Sequence, residues 1–167
     1  MVRAATLEDA AAISRIRTRG WQAGYAHVFP KEALAGMPTD ATRDFWARYL
    51  ANPAPRSAIL VAEAGGSIAG FASVGPAQAG ETGELYAIYV DPDHWGEGLG
   101  KALIRTAEER LVEAGFAEAI LWVLDDNPRA RRFYETMGWE HDGGSKRDTF
   151  LGTEVTEVRY RKRLRLA

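Results

Sequence analysis

The sequence predicts an α/β fold in which a mixed, mostly antiparallel central sheet is flanked by helices. Three observations support this class. A strand pattern, a glycine-rich turn and a helical pattern follow one another over residues 84–103. Further strand patterns lie on both sides of this segment, and helical patterns interrupt them at both ends. Since no repeat or low-complexity tract interrupts the 167 residues, we expect one domain spanning residues 1–167.

The first third of the chain is predicted to be mostly helical. After a short strand at residues 2–5, helical spacing follows Thr6, which is a suitable N-cap residue. This helix is expected to continue towards Trp21 and Tyr25, with a break at Gly20 as the alternative because glycine is a poor helix former. A later helix is expected over residues 40–50, where prolines follow shortly after its end.

The middle of the chain is predicted to hold a hairpin, a central strand and a helix. Residues 57–64 and 68–74 alternate as strands and are joined by a glycine pair. Residues 84–90 are apolar on both faces after the first position, so this strand is expected to be central and buried. Apolar residues at four-residue spacing then predict a helix over residues 99–114.

The last third of the chain continues the alternation. Residues 117–124 are predicted to form a second buried strand, and either Asp126 or Asn127 is a suitable cap for the helix that follows. Gly138 is expected to end that helix. Two further strands are expected over residues 139–164, separated by glycines.

Charge and composition lower the weight of several partner classes. The 21 basic and 23 acidic residues give a net charge of −2, so neither nucleic acid nor an anionic membrane is an expected partner. The basic run at residues 159–166 alternates as a strand does, and we interpret it as a solvated face. The first residues lack the apolar core of a signal peptide and no segment is long enough to span a bilayer, so a cytoplasmic location is expected.

Residue content also limits the chemistry. The chain has no cysteine, which excludes disulfides, zinc–thiolate sites and a cysteine nucleophile. Its three histidines, His27, His94 and His141, show no ligand spacing, so no metal is expected.

The glycine-rich turn predicts an anion site. Glycines at positions 96, 98 and 100 allow a ligand to approach the backbone closely. The first N–H groups of the following helix lack internal partners and favour negative charge. A phosphate or pyrophosphate is the expected ligand.

Two common phosphate motifs do not fit this turn. A P-loop requires glycine where the chain has Trp95 and Ser or Thr where it has Ala102. The dinucleotide fingerprint requires a third glycine where the chain has Lys101 or Leu103. The segment GEGLGK is therefore a different kind of phosphate loop.

The turn resembles motif A of the GNAT superfamily of acyl-CoA-dependent N-acetyltransferases, whose pattern is Arg or Gln, two residues, Gly, one residue, and Gly or Ala. Gly98 and Gly100 match this pattern, whereas Trp95 replaces the Arg or Gln. The downstream segment NPRARRFYETMGWE is also similar to a family pattern, with Trp139 in place of the final aromatic residue. Two motifs in the right order are more specific than either alone.

The resemblance implies acetyl-CoA as the co-substrate. In the family, backbone N–H groups of the loop hold the pyrophosphate and the preceding strand pairs with the pantetheine arm. The residues that this implies for cofactor binding are Ile88, Val90, Gly96, Gly98, Gly100, Lys101 and Asn127. Simpler roles remain open for two of them, since Asn127 is suited to helix capping and Lys101 to a solvated helix start.

The resemblance also implies two catalytic residues. An amine of pKa near 10 is only on the order of 0.1% neutral at pH 7, so acyl transfer needs a base. Glu84 matches the general-base glutamate of some members, acting directly or through water, and Tyr134 matches a tyrosine that protonates the departing sulfur. The N–H of Ile88 is the expected oxyanion donor. An exposed strand end for Glu84 and aromatic packing for Tyr134 remain alternatives.

The acceptor is expected to be a primary amine. The family usually forms the acceptor wall from its first two helices, which implies a substrate-binding role for Trp21 and Tyr25, with core packing as the alternative. A small molecule is favoured over a protein N-terminus or lysine, because no long peptide-binding insertion is visible. A non-catalytic acyl-CoA-binding regulatory module is the rival hypothesis. A homodimer, the habit of the family, is an expected assembly.

Overall fold

The fold is described from a computed structural model, which describes residues 1–165. Short 3-10 turns occur at Leu7–Asp9 and Pro92–His94. The helices are α1 (Ala10–Gly24), α2 (Lys31–Ala35), α3 (Arg43–Ala51), α4 (Leu99–Glu113) and α5 (Pro128–Thr136). The strands are β1 (Val2–Ala4), β2 (Ala58–Ala64), β3 (Ser67–Pro76), β4 (Gly83–Val90), β5 (Glu118–Leu124), β6 (Glu140–Phe150) and β7 (Thr153–Arg163).

Seven strands form one sheet in the order β1-β2-β3-β4-β5-β7-β6. Strands β4 and β5 pair in parallel, and every other neighbouring pair is antiparallel. The parallel pair needs a crossover connection, and α4 supplies it. The predicted mixed, mostly antiparallel sheet is thereby confirmed.

Helices cover both faces of the sheet. On one face, α4 packs through a stripe that includes Leu103, Ala107 and Leu111, and α5 adds Tyr134 to the same core. On the other face, Ile13 and Ile16 of α1 pack with strands β2 and β3, and α3 contributes to the same cluster. The hydrophobic stripes read from helical spacing are therefore the surfaces that hold the three layers together.

Thr6 caps the 3-10 turn that precedes α1, and α1 itself continues past Gly20 towards Tyr25, as predicted. The backbone N–H of Thr6 donates to Asp9 Oδ2 at 2.8 Å, which orders the 3-10 turn that leads into the helix. The helix then continues through Gly20 to Gly24. A Cβ added at Gly20 would lie 2.8 Å from Cδ1 of Tyr89, so the glycine serves close packing against β4.

Strand β4 is central, as predicted, but it is not buried along its length. Tyr86 is 45% exposed, and residues 87–90 are half-buried. The difference arises because β4 and β5 separate after their first two paired positions, Gly83↔Ala119 and Glu84↔Ile120. The apolar residues of β4 therefore line an opening and are only partly covered.

Candidate active site

A cleft opens where β4 and β5 separate. In the pairing of β4 with β3, Ser73 lies opposite Ala87 and Val74 opposite Leu85, which leaves Tyr86 as an unpaired, bulged residue. A bulge bends its strand and increases its twist, and this one lies two residues after β4 and β5 stop pairing. The resulting space, here called the strand cleft, has a volume of about 560 Å³ and is lined by residues 85–90 and 122–124.

Backbone polar groups of β4 face this cleft. The N–H of Asp91 donates to the carbonyl oxygen of Ala69 at 2.7 Å, on the β3 side. Because alternate residues of a strand direct their N–H and C=O groups to the same side, those of Ile88 and Val90 point away from β3, toward the missing β5 pairing. The Val90 carbonyl accepts a hydrogen bond from Trp95 Nε1 at 2.9 Å.

The glycine loop forms a second cavity next to the strand cleft. Gly96 and Gly98 have φ values of +83° and +82°, and Gly98 is the N-cap of the 15-residue helix α4. A Cβ added to either glycine would meet no heavy atom within 4 Å, so the loop backbone is open to a ligand. This loop cavity, of about 400 Å³, is lined on one side by Gly96, Gly98, Gly100 and Lys101. Open backbone at a helix N-terminus fits a phosphate-bearing group.

The strand cleft and the loop cavity form one continuous groove. The residues that line both of them are Ile88, Val90, Trp95, Arg129, Ala130 and Tyr134. Above their junction, the Cζ atom of Arg129 lies 3.6 Å from the centroid of the Trp95 ring, a cation–π contact. A ligand with its phosphate at the loop can therefore extend along β4 into the strand cleft.

Glu84 lies at the closed end of the strand cleft, one residue before the first β4 residue that lines it. Its side chain is half-buried. Burial raises the pKa of Glu84, with Lys146 opposing the shift and Glu157 adding to it. A raised pKa suits a general base at neutral pH better than that of an ordinary glutamate.

Tyr134 lies at the junction of the two cavities. It is 9% exposed, and its ring packs 5.5 Å from that of Phe133 and 6.3 Å from that of Tyr160. Burial raises the pKa of the Tyr134 phenol, so it stays protonated at neutral pH and can act as a donor. Aromatic packing and a position facing the groove thus occur together in this residue.

Asn127 and Lys101 lie at opposite ends of the groove. Asn127 Oδ1 accepts from the N–H of Ala130 at 3.2 Å, so the side chain caps α5 as predicted, and it also lines the strand cleft. Lys101 is exposed in the first turn of α4 and lines the loop cavity. The structure brings both residues to the groove that contains Ile88, Val90 and the three glycines.

Trp21 and Tyr25 form an aromatic wall of the strand cleft. Their ring centroids are 5.0 Å apart, and Trp21 also contacts Phe29 and Phe150 at 5.4 and 5.6 Å. Trp21 Nε1 donates to the hydroxyl of Tyr89 at 2.8 Å. Trp21 is only 7% exposed, so it packs in a core cluster and lines the cleft at the same time.

Sequence analysis did not identify three charged residues that line the cleft, Arg17, Arg129 and Glu157. Glu157 lies on β7 opposite Leu124, and burial raises the pKa of its carboxyl. The Cζ atom of Arg17 lies 5.1 Å from the centroid of the Trp21 ring. A carboxylate between the apolar residues of a strand was the available indication for Glu157, whereas α1 contains three arginines and no local pattern shows which of them lines the cleft.

The C-terminal basic run forms ion pairs within the protein. Arg159 and Arg161 contact Asp142 at 2.7 and 3.2 Å, and Lys162 contacts Glu108 at 2.8 Å. Leu166, the last residue of the predicted run, lies outside the described residues. These pairs offset much of the positive charge that the sequence places there.

Within residues 1–165, the helices include none that is long and apolar enough to cross a membrane. In the same range, no group of three or more His, Cys, Asp or Glu side chains is arranged to hold a metal ion.

Comparison with known proteins now adds to this geometry. A sequence profile of the acetyltransferase (GNAT) family matches residues 19–139. The chain is 34% identical over 131 residues to the uncharacterized N-acetyltransferase YuaI of Bacillus subtilis (strain 168), a match that covers 76% of this chain and 73% of the relative.

Solved structures share the fold. The PaiA N-acetyltransferase from Thermoplasma acidophilum in complex with coenzyme A superposes with a TM-score of 0.74 at 21% identity, over 98% of each chain. The yncA protein from Salmonella typhimurium, solved with its cofactor acetyl-CoA, also has a TM-score of 0.74, at 20% identity over 100% of this chain and 95% of that one. The profile match covers most of the chain and agrees with the groove described above: this protein belongs to the GNAT family of acetyltransferases.

Proposed function

We propose that residues 1–167 form a single domain that transfers the acetyl group of acetyl-CoA to the primary amine of a small molecule, by direct transfer in a ternary complex. The observation that carries this proposal is the continuous groove. It joins the open glycine loop to the unpaired backbone of β4, and Tyr134 lies at the junction.

The glycine loop is the proposed site for the pyrophosphate of acetyl-CoA. Backbone N–H groups around Gly96, Gly98, Gly100 and Lys101 lie at the start of α4, where the helix dipole favours negative charge. The pantetheine arm then runs along β4 and pairs with Val90 as an added strand does. Asn127 contributes its side-chain amide from the opposite wall.

Glu84 is the proposed base and acts through water, because it lies at the closed end of the cleft and does not line it. The amine loses a proton toward Glu84, and its lone pair forms the new C–N bond at the thioester carbonyl. The N–H of Ile88 donates to the oxygen that becomes negative. The C–S bond then breaks, the phenol of Tyr134 gives its proton to the departing sulfur, and the second proton lost by the nitrogen passes through water to restore the phenol.

Direct transfer is favoured by residue content. The sequence contains no cysteine, so no thiol acyl-enzyme can form on this chain. In the proposed mechanism the amine and the thioester therefore meet in the cleft at the same time. The position of Glu84 behind the cleft lining also supports a second hypothesis, a regulatory module that binds acyl-CoA without transferring the acyl group.

The release of CoA thiol from acetyl-CoA, measured with a thiol-reactive dye across pooled amines and peptides, tests these hypotheses. The protein adds no thiol background, because it has no cysteine. We expect acceptor-dependent release with a small-molecule pool. CoA release with peptides alone would indicate that the acceptor is a protein and not a small molecule. Silence in every pool, together with a rise in melting temperature on adding acetyl-CoA, would support the regulatory module.

A further inference from the structure

Arg17 is a half-buried cation in the strand cleft without a partner in the described chain. Within residues 1–165, its guanidinium has neither a hydrogen bond nor a carboxylate within ion-pair distance, and its Cζ atom lies 5.1 Å from the centroid of the Trp21 ring. By contrast, Arg19 pairs with Asp91 at 3.3 Å and with Asp93 at 2.9 Å. A planar guanidinium left unpaired in a cleft is suited to bidentate recognition of a carboxylate.

The position of Arg17 separates it from the phosphate end of the groove. It lines the strand cleft and a smaller hollow next to Phe150 and Leu151, but it does not line the loop cavity. Arg129, in contrast, lines both the cleft and the loop cavity. An anion that reaches Arg17 therefore belongs to the molecule on the acceptor side of the cleft.

Glu157 supplies the opposite charge in the same cleft. Arg17 and Glu157 both act on the hydroxyl of Tyr89, since Arg17 lowers and Glu157 raises the pKa of that buried phenol, for which burial is the largest cause of a raised value. Arg17, Glu157 and Tyr89 all line the strand cleft. The aromatic wall formed by Trp21, Tyr25 and Phe150 lies beside them.

We infer that the acceptor is a primary amine that also carries a carboxylate and an apolar body, as an apolar amino acid does, with Arg17 holding its carboxylate and Glu157 facing its ammonium group. This inference rests on the proposed function. A polyamine or an aminoglycoside would need several carboxylates, whereas Glu157 is the one acidic residue among the described residues that line the cleft. The positive charge of Arg17 would also repel a polycationic acceptor.

Matched acceptor pairs test the carboxylate directly. L-Phenylalanine and L-leucine are compared with their decarboxylated forms, phenethylamine and isopentylamine, in the CoA-release assay. We expect the wild type to prefer the amino acids. Arg17→Gln should lower kcat/KM for the amino acids roughly 10- to 100-fold, mainly through KM, because one charged hydrogen-bond partner is lost. Values for the decarboxylated amines should change less than about threefold, since those amines have no group for Arg17 to bind.

Arg15→Gln is the matched control, because Arg15 is an exposed arginine on the same helix and does not line the cleft. This variant should leave kcat/KM unchanged for both the amino acids and the decarboxylated amines. A wild type that prefers the decarboxylated amines would overturn the inference. So would an Arg17→Gln variant that loses activity equally with both types.

A binding measurement separates this inference from the proposed function. Calorimetric titration of a pool of N-acetyl amino acids, in the presence of CoA, probes the carboxylate site without requiring turnover. We expect the wild type to bind these compounds. The Arg17→Gln variant should bind them at least tenfold more weakly. Such binding without acetyl transfer to any amine would reject the transferase proposal and retain the carboxylate site, whereas equal binding by both proteins, or none by the wild type, would reject the site.

Discussion

The indole N–H of Trp95 donates to the carbonyl oxygen of Val90 at 2.9 Å, which ties the start of the glycine loop to the strand that leads into it. Trp95 occupies the position at which the family motif has Arg or Gln. The guanidinium of Arg129 stacks on its ring, with Cζ 3.6 Å from the ring centroid. The substitution therefore exchanges a polar side chain near the phosphate loop for a structural contact that fixes the loop against β4.

Replacing Trp95 with Phe should weaken CoA binding roughly 3- to 10-fold, the equivalent of one net hydrogen bond. The phenyl ring keeps the stack with Arg129, but the loop loses the contact that orders it before binding. Calorimetric titration with CoA measures the change. Tighter binding by the variant would contradict this account and indicate that the indole competes with the ligand for the Val90 carbonyl.

Gly98→Ala should weaken CoA binding by about tenfold or more, because the added methyl group shifts the loop backbone. Each 1.4 kcal/mol of binding free energy lost in this way raises the Kd by a factor of ten. Gly98 has a φ of +82°, which L residues adopt at a cost of about 1–2 kcal/mol. The control is Gly143→Ala on β6, with a φ of +89° and equally open space for a Cβ. Both variants should lose similar stability in thermal melts. A similar loss of CoA affinity in both would contradict the assignment of the loop to the CoA-binding site.

Glu84→Gln should lower kcat by about 100-fold or more while the Kd for CoA stays within about twofold, because it removes a base without touching the groove that holds the cofactor. Glu81→Gln, on the exposed loop before β4, is the control for a loss of one negative charge. Full activity in Glu84→Gln would assign the proton transfer elsewhere, and Glu157 would be the next residue to replace.

The pH dependence of activity should reflect the burial of Glu84. The base works when deprotonated, so kcat/KM should rise with pH through its pKa, which burial places above the ordinary value of about 4.3. The acidic limb of the profile should therefore lie closer to neutrality than an exposed glutamate allows, and it should flatten in Glu84→Gln. An unchanged limb in the variant would indicate another titrating group.

The same burial predicts a stability effect of known sign. Because the pKa of Glu84 is raised in the folded protein, the folded state binds this proton more tightly than the unfolded chain does. The stabilisation is fully present below the unfolded pKa and is lost as pH rises through the folded one. Melting temperatures of Glu84→Gln minus wild type should therefore be more positive at pH 8 than at pH 4, and the opposite order would refute the burial argument.

Tyr134→Phe should lower kcat by about 100-fold, the low end for loss of a proton donor, and should leave CoA binding nearly unchanged. Tyr49→Phe on α3 deletes a hydroxyl outside the cleft lining and is the control. Because the raised pKa keeps Tyr134 protonated, the wild type should show no basic limb from this phenol below pH 10. Equal rates in Tyr134→Phe and wild type would reduce this residue to a packing role.

Local patterns predicted the elements and the glycine loop well, because strand alternation, helical spacing and glycine punctuation act over a few residues. Residues 99–114 were predicted as a helix, and α4 spans Leu99–Glu113. Asn127 was a suitable cap, and its Oδ1 accepts the N–H of Ala130. The mixed sheet followed from the order of these elements.

The shape of the cleft and its charges could not be predicted in this way. The bulge at Tyr86 is defined by pairing with β3, which lies more than ten residues earlier in the chain. Gly20 has the sequence signature of a helix break, yet its function is to admit the ring of Tyr89. Arg17 and Glu157 line the same cleft from α1 and β7, elements separated by most of the chain. Such contacts depend on tertiary packing, which no local pattern contains.

The early separation of β4 and β5 also bears on self-association. Unpaired strand backbone usually occurs at the rim of a sheet, where another polypeptide can add to it and begin aggregation. In this protein the unpaired segment lies at the centre of the sheet, with α5 beside it and the stacked rings and guanidinium of Trp95 and Arg129 above it. A further strand would have to displace α5 and the Trp95–Arg129 pair, so unpaired backbone here carries less risk of edge-to-edge association than it would at the rim.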